Sequence, residues 1–302
     1  MNFKQCNVLV SLTSSDSDYQ VAMAKAAQEA ARVLNMKVNV IYADNDAITQ
    51  SQQLLKVIQT PALRPDGIVF EPVGTGLVNV ARAAVNAGIG WVIMNRKVDY
   101  IDELRRLGKA PVFAVTNDHL EIGRLLGRQL NELLPDGGGV LCIQGPASSD
   151  SAQNRTTGMK ETLRGNIQVR YLFGHWTENS AFETVNSWLR LSTSREVPLK
   201  VVAAQNDLMA MGARKAFAQH INDGNGRWEN LRFLGVDGLP DHGQSWVRSG
   251  VLSATVVVPS ITTNALEMLS KALNSGIMPP ERTIVSPVSF PPIESLAHKA
   301  FL

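Results

Sequence analysis

The chain alternates short, unbroken apolar runs with stretches whose apolar residues recur at helical spacing, and it does so almost from end to end. NVLVSL (7–12) is followed by a segment of helical period from Tyr19 to Asn35. KVNVIY (37–42) precedes a periodic stretch from Ala47 to Ile58, and GIVFE (67–71) precedes a helix predicted over Leu77 to Ala87. GWVIM (90–94) closes that series. Apolar runs of strand length, separated by helices, predict parallel strands buried on both faces.

The alternation then resumes. PVFAV (111–115) leads into a helix predicted over Leu120 to Leu134, its start signalled by Asn117 and Asp118. GGGVLCI (137–143) leads through a loop to a helix predicted over Arg155 to Leu163. VRYLF (169–173), VVAA (201–204), RFLGV (232–236) and LSATVVV (252–258) supply further strands, with helices near Phe182 to Leu191, Leu208 to His220 and Ile261 to Leu273. The proline-marked tail (Pro279, Pro280, Pro287, Pro291, Pro292) reads as irregular, with a short strand at Thr283 to Ser286. This pattern predicts an α/β protein of two doubly wound parallel-sheet lobes.

A length of 302 residues agrees with two domains. A composition 44% hydrophobic and 19% charged is that of a globular protein, and a net charge of +2 with no dense Lys/Arg run argues against nucleic-acid binding. No apolar stretch reaches the roughly 18 residues that span a bilayer. Cys6 and Cys142 lie in or beside predicted strands with no CxxC or Cys/His spacing, and read as buried thiols.

In open parallel sheets, ligands sit outside the carboxyl ends of the strands. The polar residues there are Ser11 to Tyr19, Glu71, Asn95-Arg96, Gln144 to Arg155, His175-Trp176, Asn206-Asp207 and Asp237. Arg, Asp and Asn present planar forks that match vicinal hydroxyls, and Tyr or Trp covers the C–H face of a sugar ring. Signals for chemistry are weak: the first strand–helix turn contains no glycine, and GxxxxGK[ST], GxSxG and HExxH are all absent. The five histidines (119, 175, 220, 242, 298) show no metal-binding spacing. No catalytic residue, cofactor or metal is predicted.

These strand ends resemble the type I periplasmic sugar-binding proteins, the ribose- and galactose-binding group. AAQNDLMAMGA (203–213) is similar to that family's AQND-x-MA-x-GA segment, and FLGVDGLPD (233–241) to its VGFDG-x-PD strand end. Asn95-Arg96 stands at its Asp-Arg position, RTTGM (155–159) resembles its R-x-x-G-F helix start, and TND (116–118) matches its crossover between lobes.

The resemblance implies lobes of residues 1–117 plus 259–286 and 118–258 plus 287–302, joined by a three-segment hinge near Asn117, Val258 and Ser286. It implies ligand hydrogen bonds from Arg96, Arg155, Asn206 and Asp237, with Asn95 and Asp16 beside them. Tyr19 and Trp176 would be the aromatic covers. Asn206 also has an alternative reading as a helix cap, and Trp176 one as lobe packing. The implied function is capture of a sugar, polyol or sugar acid in the interlobe cleft by hinge closure, and delivery to an ABC transporter permease. The protein would be a monomer, periplasmic, with its signal peptide outside this numbering.

Three departures weigh against ribose. Asn95 replaces a carboxylate, the turn after the first strand is acidic (Asp16, Asp18), and Val258 stands where the ribose pattern has a glutamine. Arg96 and Arg155 against Asp237 would suit an anionic polyol unless Asp16, Asp18 or Glu71 restores the balance. The same fold serves as the effector domain of LacI-type regulators and as a sugar sensor. A regulator would carry a helix-turn-helix before the first strand, where this sequence has six residues. A sugar hydrolase would need two apposed carboxylates roughly 5–10 Å apart, which no motif here demands.

Overall fold

The structure is a computed structural model, and it describes residues 5–74, 76–196, 198–220, 228 and 230–296. In chain order its elements are β1 (Cys6–Leu12), α1 (Asp18–Val33), β2 (Met36–Tyr42), α2 (Ala47–Gln59), β3 (Gly67–Phe70), α3 (Val78–Asn86), β4 (Gly90–Met94), α4 (Ile101–Arg106) and β5 (Val112–Asn117). There follow α5 (His119–Leu133), β6 (Gly138–Gln144), α6 (Asp150–Thr162), β7 (Ile167–Phe173), α7 (Glu178–Leu189), β8 (Leu199–Ala204) and α8 (Asp207–His220). The last are β9 (Arg232–Asp237), α9 (Gly243–Arg248), β10 (Ala254–Val257), α10 (Ile261–Ser275), β11 (Arg282–Val285) and β12 (Val288–Phe290).

The chain divides into two units, Met1–Asn117 with Ser260–Val285, and Asp118–Pro259 with Ser286–Leu302, so it passes from one to the other three times. Unit 1 holds a six-stranded parallel sheet in the order β11-β5-β4-β3-β1-β2. β3 is buried at all four positions, and its residues alternate between two cores. Ile68 and Phe70 pack with Leu54, Trp91 and Ile93 on one face, where the rings of Phe70 and Trp91 lie 4.4 Å apart. Val69 packs with Val10, Val92, Phe113, Met23 and Leu269 on the other. The period of two along a pleated strand thus produces both cores from one apolar run.

Unit 2 holds a sheet in the order β12-β10-β9-β8-β6-β7, parallel except for β12, which pairs antiparallel with β10 through Thr255↔Phe290. β12 is a correction to the irregular tail predicted from sequence: a three-residue edge strand carries too little pattern to read. Buried Gln129 of α5 donates to the Thr255 carbonyl at 3.0 Å and to Ser289 Oγ at 2.9 Å, which fastens that edge. The helices α4 and α9, six residues each, were likewise missed.

Where it matters most for the site, α5 and α6 touch backbone to backbone. A Cβ on Gly123 would lie 2.0 Å from the Arg155 carbonyl oxygen, and one on Gly158 would lie 1.9 Å from that of Leu120. Only hydrogen fits at either crossing. α6 begins at Asp150, five residues before the predicted start at Arg155, because Ser149 caps it through Ala152 N–H at 3.4 Å. Cys6 and Cys142 are buried and form no disulfide, and burial pushes the Cys142 thiol up to about 12.

Candidate functional site

In unit 1 a continuous polar network runs across the carboxyl ends of β1, β3, β4 and β5. Asn117, the last residue of β5 and 2% exposed, donates Nδ2 to Tyr19 Oη at 2.8 Å and, more weakly, to Asn95 Oδ1 at 3.4 Å. Asn95 donates Nδ2 to Glu71 Oε2 at 3.3 Å, and the same oxygen accepts Nε2 of Gln20 at 2.8 Å. Gln20 is fixed in turn, since its Oε1 accepts the Thr13 N–H at 3.1 Å. Gln50, fully buried on α2, donates to Ser11 Oγ at 3.2 Å and to the Glu71 carbonyl at 2.9 Å, and accepts the Val73 N–H at 2.9 Å.

Asn95 adopts φ 58°, a left-handed conformation that Asn tolerates better than most residues. Its N–H extends the ladder by one bond to Val115 O at 3.1 Å, after which the chain turns and half-buried Arg96 follows. Asp16 is exposed in the β1–α1 turn, where its N–H donates to Ser14 Oγ at 3.0 Å. The network therefore joins Tyr19 and Asn95, while Asp16 bonds locally to Ser14. Asn117 Oδ1 is buried and has no hydrogen-bond partner among the described residues. A buried acceptor left unmet costs about 1–3 kcal/mol, so this atom is a point where a donor would be welcome.

In unit 2 the buried Arg155 donates Nη1 to the Gln205 carbonyl, and its guanidinium carbon lies 5.5 Å from the centre of the Trp176 ring. Trp176 sits in the β7–α7 connection at φ 66°, half-buried. Its ring rests on Gly145: a Cβ there would fall 2.1 Å from Cζ2 of the indole. Gln205, 1% exposed, accepts the Gly145 N–H at 3.0 Å and donates to Ala152 O at 3.0 Å and Thr156 Oγ1 at 2.9 Å. It pins the platform under the ring to the helix that carries Arg155.

Asn206 precedes α8 and caps it, accepting the Met209 N–H on Oδ1 at 2.8 Å while Nδ2 donates to the Trp176 carbonyl at 2.8 Å. Both ends of the amide are thus engaged within unit 2. Asp237, the last residue of β9, is half-buried at φ 106°. Behind it stands Asp207, buried, accepting the Gly238 N–H on Oδ2 at 2.8 Å and the Thr255 hydroxyl on Oδ1 at 2.7 Å. Burial pushes the Asp207 carboxyl well above the ordinary carboxylate range, and the charge of Asp237 adds to the rise. The Thr255 hydroxyl, the Gly238 N–H and Arg155 oppose it.

Planar amides, an arginine and a ring at strand ends can grip and cover a polyhydroxylated molecule. The profile of the periplasmic binding protein domain matches residues 8–276 of this chain. The chain belongs to the periplasmic binding protein family. That family consists of solute-binding proteins, not enzymes.

Among family members, the D-allose-binding periplasmic protein of Escherichia coli (strain K12) is 26% identical over 282 residues, covering 91% of this chain and 86% of that protein. The arabinose-transporter binding protein of Shewanella sp. ANA-3, solved with α- and β-L-arabinofuranose, superposes with a TM-score of 0.81 at 23% identity, covering 97% of this chain and 94% of the other. A solute-binding protein of Actinobacillus succinogenes 130z, solved with D-allose, also gives 0.81, at 19% identity and over 97% and 100% of the two chains. These likenesses show that the fold is the type I binding-protein fold which the strand-end motifs resemble.

Several supporting residues at these strand ends do not stand out in the sequence. Gln20, Gln50 and Gln205 are buried glutamines whose partners lie far along the chain, 51 residues away in the case of Gln20 and Glu71. In the sequence Asn117 stands out as a helix-start signal and as a crossing between lobes. Glu71 had one usable signal, its place directly after an apolar strand.

Proposed function

We propose that this periplasmic binding protein captures a small polyhydroxylated ligand, an aldose or a polyol, with the strand-end residues of both units. Tyr19, Asn95 and Arg96 of unit 1 act with Arg155, Trp176, Asn206 and Asp237 of unit 2. Asp16 stands at the margin. Capture shifts a population of conformations toward one that a membrane permease of an ABC transporter accepts, outside the cytoplasm and as a monomer.

The observation that carries this reading is the pairing, within each unit, of planar hydrogen-bonding groups with an aromatic ring. Asn117 holds Tyr19 at 2.8 Å and also bonds Asn95, and Arg155 lies 5.5 Å from the Trp176 ring. The buried, unmet Oδ1 of Asn117 adds an acceptor suited to a hydroxyl. The D-allose named for the Escherichia coli relative and the L-arabinofuranose named for the solved Shewanella structure belong to this ligand class.

The test is calorimetric titration with D-allose, D-ribose, L-arabinose, D-galactose, xylitol and myo-inositol. One of them is expected to bind in the micromolar range or tighter, about −8 kcal/mol, with the affinity lost on Arg155→Ala and Asp237→Ala. If none binds to the folded protein, or if the two variants bind as the parent does, this reading is wrong.

A further inference from the structure

The end of β3 carries a carboxylate that the chain takes trouble to hold. Glu71 donates its backbone N–H to Ser11 O at 3.0 Å, and its carbonyl accepts Nε2 of Gln50. Its side-chain Oε2 accepts two amides, from Gln20 at 2.8 Å and Asn95 at 3.3 Å. All three amides belong to buried residues: Gln20 is 5% exposed, Gln50 0% and Asn95 8%. A stray surface charge would not draw two buried amides, one from α1 and one from the end of β4, while a third from α2 holds its backbone carbonyl, so Glu71 is a built part of this network.

Glu71 also decides what Asn95 presents. With Nδ2 committed to Glu71, the carbonyl end of Asn95 points to Asn117, which in turn holds Tyr19. Any ligand that reaches Asn95 and Tyr19 is therefore one side chain from a fixed carboxylate. Its hydroxyls are donors that such a surrounding favours, whereas a ligand carboxylate would meet like charge there.

We propose that Glu71 is a specificity-determining residue, which makes the unit 1 part of the site select a neutral polyhydroxylated ligand and reject its carboxylated counterpart. The proposal rests on the ligand-binding reading above and sharpens it to one ligand class. Discrimination comes from repulsion of the wrong ligand as much as from attraction of the right one. Glu71→Gln keeps the shape and removes the charge.

The experiment titrates matched pairs against the full chain: xylitol with xylonate, D-galactose with D-galacturonate, and D-ribose with D-ribonate. For the pair whose neutral member binds, the neutral molecule is expected to bind about tenfold tighter or more, as like charges a few ångströms apart require. Glu71→Gln is expected to narrow that ratio by about tenfold while the thermal midpoint stays near the parent's. The parent ratio alone is a test that needs no variant. A carboxylated member that binds as tightly as its neutral partner overturns the proposal, and so does a folded Glu71→Gln protein whose ratio stays within about twofold of the parent's. In both cases the ligand-binding reading survives. Failure of all six molecules, and of the wider sugar panel, overturns that reading and this one together.

Discussion

The backbone N–H of Gly238 donates to Oδ2 of Asp207 at 2.8 Å, tying the turn after Asp237 to a buried carboxyl group. That carboxyl titrates above its ordinary value of 3.8, chiefly through burial and then through the charge of Asp237. The folded chain therefore holds this proton more tightly than the unfolded chain does. Its stabilising contribution is complete below 3.8 and is lost as the pH rises through the folded value. Asp207→Asn keeps the contacts, since the amide oxygen accepts from Gly238 and the NH2 donates to a reversed Thr255 hydroxyl. The stability difference, parent minus Asp207→Asn, is expected to fall as urea denaturation is repeated from pH 4 upward. A flat or rising difference would show that the carboxyl is not the group responsible. Asp207→Ala, which strands two buried donors, is expected to cost about 2–5 kcal/mol at pH 4, where the carboxyl is protonated, and less as the pH rises.

Gly145 is where Trp176 can be moved without touching it. The Cβ of an alanine would sit 2.1 Å from Cζ2 of the indole, and the half-buried ring can swing away more easily than a core residue could. Gly145→Ala is expected to weaken sugar binding about tenfold or more while costing about 1–3 kcal/mol of stability, the range for overpacking. Unchanged affinity in a folded variant would remove Trp176 from the ligand surface.

Tyr19 and Asn117 are 98 positions apart and bonded at 2.8 Å, so they should be coupled energetically. A double-mutant cycle with Tyr19→Phe and Asn117→Ala, read by urea denaturation, is expected to give a coupling of about 0.5–1.5 kcal/mol. Asn117→Ala should also be milder than an ordinary buried Asn→Ala change, because it deletes an acceptor already lacking a partner. Additive effects within about 0.3 kcal/mol would mean that the bond contributes nothing to the folded state.

The strands of both sheets were legible because a strand buried on both faces is an unbroken apolar run, as GIVF and GWVIM are. The six-residue helices α4 and α9 and the strand β12 were not. β12 is three residues long and exists because β10 offers it an edge, a relation with no one-dimensional trace. At the site, polar residues directly after strands could be read, and Asn95, Asp237 and Glu71 stand there. The supporting amides could not. A glutamine on the inner face of α1 or α2 looks like a flaw in amphipathic pattern until its partner is known, and Gln50 finds Ser11 only when β1 and α2 are packed. Arg155 was found by its motif, although its helix begins a turn and a half earlier at a Ser149 cap hidden in a run of serines.

Asn206 carries two roles that one substitution separates. Its Oδ1 caps α8 through Met209 N–H, and its Nδ2 holds the carbonyl of Trp176, each at 2.8 Å. Asp preserves the first bond, since a carboxylate is as good an N-cap acceptor as an amide. It replaces the second with two oxygens in opposition, which loosens the segment that presents the indole. Asn206→Asp is therefore expected to hold its cap but lose sugar affinity, whereas Asn206→Ala loses both, the cap alone being worth about 1 kcal/mol. Urea denaturation and calorimetric titration, run on both variants, read the two roles independently. If Asn206→Asp binds sugar like the parent, the amide is a cap and nothing more, and the proposed ligand contacts of unit 2 reduce to Arg155, Trp176 and Asp237.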